Sequence, residues 1–387
     1  MLIPVKYNLR YLVNRWTGTA MTAFTFALVV ATFVIVMSLA RGIERALATT
    51  GDPLNVLVLR PGVQSEGQSS IQIERYQVVR NYPGIAKDAT GEPLVAPEVL
   101  VLVNKPKQPD GKSTNLQIRG VHPLAFEMRP AVRIVEGRMF RRGLREAIVS
   151  RSVSRRFQKM GLGDKPQLGR GQWTICGVFE AKGSAFDSEM WTDYQELMGE
   201  FDRDAYSTVV LRAADKAAAA SICAMADADP RVKMMVKTEE EYYREQTKTA
   251  GPLRAFGVFL AVIMSIGACF AGMNTMYASV ANRTREIATL RVLGFSPFAI
   301  LVSFQIESIA LALFGGAIGC LLSLPINGLA TGTTNFETFS EIVFYFTITP
   351  GLMAKGMVFA AAMGALGGFL PAFAAARQPI LQSLRQG

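Results

Sequence analysis

Few residues of this chain are of the kinds that do bond chemistry, and their spacing argues against most of it. His122 is the single histidine, so a His-based triad or a His-rich metal site would rest on it alone. It stands in Arg119-Gly-Val-His-Pro123, the pattern of a strand end running into a turn, and reads as a surface or turn histidine. Cys176, Cys223, Cys269 and Cys320 are too far apart in sequence for a metal knuckle or a redox pair. Cys269 and Cys320 lie in apolar runs and read as small core residues. Cys176 and Cys223 could pair if their segment faces an oxidising compartment, although neither has the look of a disulfide framework. Gly111-Lys-Ser-Thr114 has the tail of a phosphate-binding loop, but the glycine that motif needs five residues earlier is Pro106. Pro109-Asp-Gly111 is a turn signal and Asn115-Leu-Gln-Ile-Arg119 alternates like a strand, so a hairpin turn is the expectation. With no convergent catalytic set, a membrane-anchored enzyme is disfavoured.

Two charged features remain. Glu307 is an acid inside a long apolar run. Either it is a functional intramembrane group or it lies nearer an interface and pairs with an arginine; both stay open. The stretch from Ala281 to Pro297 places Arg283, Arg285, Glu286 and Arg291 between two apolar runs. Ile287, Leu290 and Leu293 recur at a spacing of three, which puts them on one helical face. Gly294 and Pro297 suit a helix end followed by a turn. Such a helix can rest on lipid headgroups or dock a cytoplasmic protein.

The elements that would position these residues follow from composition. The chain has 387 residues, of which 50% are hydrophobic and 19% charged, with a formal charge of +10. That balance suits a few spanning helices plus a sizeable polar domain. Residues 17–40 and 255–282 are uncharged. Residues 298–330 are interrupted only by Glu307, and 351–376 only by Lys355. At about 1.5 Å per residue each run exceeds a hydrocarbon core of about 30 Å, which gives four transmembrane helices. The first run is too long for a cleaved signal peptide and lacks a cleavage site. Lys6, Arg10, Arg15, Arg283, Arg285, Arg291, Arg377 and Arg385 flank these runs on one side, with Glu286 the single acid among them. The link 331–350 carries Glu337 and Glu341 and no basic residue. Short basic segments stay in the cytoplasm. The N-terminal segment 1–16, the stretch 283–297 and the tail 377–387 are therefore cytoplasmic, and 41–254 and 331–350 lie outside.

Segment 41–254 is long enough for a domain of its own. Asn55 to Arg60, Leu94 to Val103 and Thr174 to Phe179 read as strands between turn signals. Thr208 to Leu211, Asp215 to Ala226 and Val232 to Val236 read as a strand–helix–strand unit broken at Asp229-Pro230, and Glu239 to Lys248 as a polar helix. The fold class is thus an α-helical membrane protein with four transmembrane helices plus a large α+β extracytoplasmic domain inserted between helices one and two. Gly315 with Gly319, and Gly364 with Gly367 and Gly368, are small residues that let helices approach closely in lipid. Packing within one bundle and a subunit interface both account for them.

Asn274 to Gly294 resembles the membrane segment of MacB/FtsX-type ABC transporter permeases. So do Phe304-Gln-Ile-Glu-Ser308 with Gly315-Gly-Ala-Ile-Gly319, and the tail from Pro371 to Leu384. Val135-Glu-Gly-Arg-Met-Phe140 and Thr174-Ile-Cys-Gly-Val-Phe179 resemble the family's external core domain more loosely. No fused ATPase is visible, so the likeness is to members in which permease and ATPase are separate. The resemblance implies a bacterial inner-membrane subunit with both termini cytoplasmic and no cofactor of its own, ATP and Mg²⁺ acting in a partner ATPase. It implies two permease copies, homo- or heterodimeric, above two such ATPases, with membrane lipid around them and a periplasmic adaptor as a further partner; nucleic acid is not expected. Matched by position, Arg283, Arg285, Glu286, Ile287, Leu290 and Gly294 form the coupling helix that receives the ATPase's motion and passes it outward. Export or extraction of a substrate, regulation of a cell-wall hydrolase and lipoprotein release all remain open.

Overall fold

The computed structural model describes residues 16–229, 233–247, 250–334 and 340–378. It divides into a helical unit, drawn from residues 1–41, 252–329 and 346–387, and a sheet-rich unit, drawn from 42–251 and 330–345. In chain order, helix α1 (Trp16–Ala48) precedes strands β1 (Asn55–Leu59), β2 (Val95–Pro106), β3 (Ser113–Val121), β4 (Arg133–Gly137) and β5 (Glu146–Ser150). A small hairpin of β6 (Gln167–Leu168) and β7 (Gly171–Gln172) leads to β8 (Thr174–Glu180), β9 (Glu189–Asp193) and β10 (Thr208–Arg212). Helix α2 (Lys216–Ala228), β11 (Met235–Thr238), α3 (Glu239–Gln246), α4 (Ala250–Asn282), α5 (Thr284–Val292) and α6 (Pro297–Ser323) follow. Strands β12 (Ala330–Thr334) and β13 (Glu341–Tyr345) and helix α7 (Pro350–Ala376) complete the described chain.

Nine strands form one mixed sheet in the order β11-β1-β10-β2-β3-β9-β5-β8-β4. Pairing is antiparallel except for β3–β9 and β5–β8. The apolar run Asn55-Val-Leu-Val-Leu59 is buried along its whole length, the signature of a strand covered on both faces. β10, α2 and β11 make the expected strand–helix–strand unit, with β10 and β11 on either side of β1. The Asp215 side chain starts α2 by accepting from Ala218 N at 2.7 Å, and that of Thr238 starts α3 by accepting from Glu241 N at 3.2 Å. Glu239, Glu240 and Glu241 in the first turn of α3 complement its N-terminal partial charge. Pro230, Val232 and Lys248 lie outside the described residues. The phosphate-loop look-alike is the expected hairpin turn: Pro106 pairs with Ser113 across β2–β3, and Gly111 takes φ +67°.

Among the described residues, Gly18–Ala48, Arg254–Asn282, Pro297–Ile326 and Pro350–Ala376 are long and apolar enough to cross a membrane. Two differ from the sequence expectation. The first helix continues past residue 40 to Ala48, because nothing in Arg41 to Ala48 breaks a helix. The third ends at Ser323 rather than near 330, because Pro325 and Gly328 follow and residues 330–334 pair as a strand. The helices pack through Phe26, Val30 and Val34 of α1, Ala312 and Cys320 of α6, and Ala360 and Met363 of α7.

The link between the third and fourth runs reads as a loop in sequence. Here it is a β-hairpin, β12–β13, folded into the sheet-rich unit. Ile342, Val343 and Phe344 are buried. Val343 N donates to Ser188 Oγ at 2.7 Å. The Glu341 carboxylate pairs with Lys107 Nζ at 2.7 Å and with Arg156 Nη2. Glu337 lies outside the described residues.

Candidate functional site

Helix α5 is built by its ends. The backbone breaks at Arg283, with φ −108° and ψ 12°, so α4 and α5 are distinct helices. Gly294 in the left-handed region (φ +92°) closes α5, and Phe295 N reaches back to Leu290 O at 3.1 Å. Of the face selected by spacing, Ile287 is 2% exposed and packs with Met276, Val280, Ile300, Phe304, Ala372 and Ala375 of its own bundle. Leu290 is half-buried. Leu293, by contrast, is 70% exposed and Val292 64%, and Arg285, Glu286, Thr289 and Gly294 are also exposed. Ile287 thus seats the helix on its own bundle, and the outward surface belongs to Arg285, Glu286, Thr289, Val292 and Leu293.

Arg283 departs furthest from its expected place. It is buried, and its Nη1 meets Glu307 Oε2 at 2.9 Å, with the guanidinium carbon 5.7 Å from the Phe304 ring centre. Of the two readings of Glu307, the structure shows the pairing with an arginine. Four of the singled-out glycines, Gly315, Gly319, Gly364 and Gly368, sit at helix contacts within the helical unit. A Cβ on Gly315 would lie 2.5 Å from Ala23 O of α1, and one on Gly319 would overlap Ala27 O. A Cβ on Gly364 would lie 2.7 Å from Ala312 Cβ of α6, and one on Gly368 would overlap Ser308.

The sheet-rich unit holds a buried charge network that the sequence reading did not single out. All five N–H donors of Arg119 are used: Nε and Nη2 donate to Glu189 at 2.8 and 2.9 Å, Nη1 and Nη2 to Glu66 at 3.1 and 2.9 Å, and Nη1 to Glu98 at 2.7 Å. Arg129 joins Glu98 to Glu239, the latter at 2.9 Å. Trp191 Nε1 and Gln117 Nε2 donate to Glu189 at 2.7 and 2.6 Å. The Phe186 ring lies 5.4 Å from the Arg119 guanidinium carbon and 4.8 Å from that of Arg129. Burial raises the Glu66 carboxyl above its ordinary range despite Arg119. Burial also opposes ionisation of Glu98, but Arg129 and Arg119 together outweigh it and hold that carboxyl low. A sequence signal existed: Glu98 and Arg119 interrupt strands that otherwise read as apolar or alternating, and such a strand must bury them.

Among the described residues no group of His, Cys, Asp and Glu is disposed to hold a metal ion, and all four cysteines are free thiols. His122 is half-buried at the end of β3, its Nδ1 accepting from Leu124 N at 3.3 Å.

Two family profiles match the chain: MacB-like periplasmic core domain over residues 19–227 and FtsX-like permease C-terminal over residues 258–380. The macrolide export ATP-binding/permease protein MacB of Pasteurella multocida is 25% identical over 393 aligned residues, covering 95% of this chain and 58% of that protein. The protein of the same name from Hahella chejuensis is 29% identical over 230 residues, covering 56% of this chain and 34% of that one. The chain therefore spans between about a third and three-fifths of the length of these relatives. The extracellular domain of the noncanonic ABC-type transporter YknZ overlaps 47% of this chain and 98% of its own length at 15% identity. Its TM-score of 0.33 is too low to carry weight.

Proposed function

Because the chain belongs to the MacB/FtsX-type ABC transporter permeases, we propose that it is the membrane subunit through which a separate cytoplasmic ATPase moves the sheet-rich domain on the other side of a bacterial inner membrane. In this reading the chain binds no nucleotide and catalyses no step of its own; ATP and Mg²⁺ act in the partner. Residues 283–297 form the coupling segment, both termini share its side, and the segments 41–254 and 331–350 face outward. Two permease copies act together, with an adaptor as a further partner, to export or extract a substrate already outside the membrane.

The observation that carries this reading is the outward surface of α5. A nine-residue helix between two membrane-length helices exposes Val292 and Leu293 next to Arg285 and Glu286. An apolar anchor with a polar rim is how interfaces concentrate affinity. The basic flanks that argue for a cytoplasmic face include Arg285 and Arg291 of this same segment.

The test compares Leu293→Asp with Ile287→Asp. An anchor contributes about 2 kcal/mol or more, and about 2.8 kcal/mol weakens an association roughly a hundredfold. Leu293→Asp should remove the co-purifying ATPase while the chain inserts and melts like wild type. Ile287→Asp should instead destabilise the bundle, because it buries a carboxylate without a partner. Retention of the ATPase by Leu293→Asp at wild-type levels would refute the docking role.

A further inference from the structure

The ion pair between Arg283 and Glu307 has no place in docking, since both side chains are buried. We propose that Arg283 and Glu307 are positioning residues: the pair fixes the rotation of α5 about its own axis, and so decides which side chains that helix presents outward. This rests on the docking reading for its consequence, though not for its test.

The argument begins with what α5 cannot do alone. Nine residues give a helix of about 13 Å, far below the length at which isolated helices hold in water. Its apolar seat, Ile287 and Ala288, is buried, but apolar contact is non-directional and tolerates a turn of the helix by part of a residue step. Arg283 stands at the break before α5, where its carbonyl already accepts from Ile287 N at 2.9 Å. Its guanidinium is held from the other end by Glu307, 24 positions away in sequence on α6, and is braced on Phe304. A residue fixed at backbone and side-chain tip sets the direction in which the helix starts. Stability alone would not call for this arrangement. An apolar pair of similar volume is often as stable as a buried ion pair or more so, and charge within a bundle is costly in lipid. Direction is what the charged pair adds.

The experiment uses the full chain in detergent, so that the result does not depend on which side of a membrane α5 faces. In a cysteine-free background, single cysteines replace Arg285, Thr289 or Ala288, and their rates with a polar maleimide are compared. With Arg283 and Glu307 in place, positions 285 and 289 should react about tenfold or more faster than position 288, the contrast expected between an open and a protected site. In Arg283→Met with Glu307→Leu, melting should stay near that of wild type while this contrast collapses. The exchanged pair, Arg283→Glu with Glu307→Arg, should restore it. If the apolar pair does not accumulate, Glu307→Gln supplies the same comparison with the side-chain shape kept. An undiminished contrast in the apolar pair or in Glu307→Gln overturns the proposal. No ATPase enters this measurement, so a failure here is distinct from failure of the Leu293→Asp test, which bears only on docking.

Discussion

Replacing Arg119 by methionine should unfold the sheet-rich unit at neutral pH far more readily than at mildly acidic pH. Glu98 would keep Arg129 and Glu189 would keep Trp191 and Gln117, but Glu66 would lose the guanidinium that meets both its oxygens. Left charged and buried, it would carry a penalty of several kcal/mol; its cheaper course is to take a proton. An ordinary glutamate has a pKa of about 4.3, so holding one protonated at pH 7 costs roughly 3.7 kcal/mol, at about 1.36 kcal/mol per unit. At pH 5 the same step costs only about 1 kcal/mol. For a unit of this size each 1 kcal/mol is worth about 2–4 °C, so Arg119→Met should melt at most roughly 7–15 °C below wild type at pH 7, less whatever burial already costs Glu66 in wild type, and within about 4 °C of it at pH 5. Tryptophan fluorescence is a direct probe. The chain has three tryptophans; Trp173 and Trp191 are buried in the sheet-rich unit, and Trp191 donates to the network itself. A Trp16→Phe background removes the third. An equal midpoint at pH 7, or a deficit that does not shrink by pH 5, would refute this account.

Two further outcomes are expected. His122, the single histidine, has its pKa lowered first by burial and then by Arg142 and Arg80. The unfolded chain therefore protonates first as pH falls, and stability drops from the ordinary histidine pKa down to the folded one and then levels. His122→Gln should flatten that part of the melting-temperature profile between pH 7.5 and 5.5, whereas an unchanged slope would assign it to carboxylates. In the helical unit, Gly319→Ala should cost about 1–3 kcal/mol through overpacking against α1, read as a lower melting temperature in detergent. Gly267→Ala, on α4 with open space around it, should be neutral or gain up to about 1 kcal/mol of helix propensity; equal losses at the two sites would contradict the packing.

What could be read from the sequence was what is local. The four long helices follow from long apolar runs with at most one charged residue each, and the turn at Gly111 follows from Pro109-Asp-Gly and a missing glycine. Helix α5 follows from its charges and its closing Gly294. Its orientation was not legible, because spacing defines an apolar face without saying what covers it. Here Ile287 is covered by Ile300, Phe304, Ala372 and Ala375 of its own bundle, and Leu293 is left outside. The charge network escaped for a related reason. The partners of Arg119 and Arg129 lie 21 to 110 positions away, and only the sheet order brings them together. The hairpin β12–β13 was hidden because a run of Thr and Gly reads as a loop until its distant acceptor, Ser188, is known.

That hairpin doubles the number of places at which the chain enters and leaves the sheet-rich unit. The chain passes between the two units four times, at residues 41/42, 251/252, 329/330 and 345/346. Two of these crossings are the ends of segment 42–251 and two are the ends of the hairpin segment 330–345. The Glu341 clamp on Lys107 and Arg156 is where two of the four take hold. A fragment cut at residues 42 and 251 would lack the hairpin segment 330–345 and leave the seat of Phe344, buried in the full chain, bare to water.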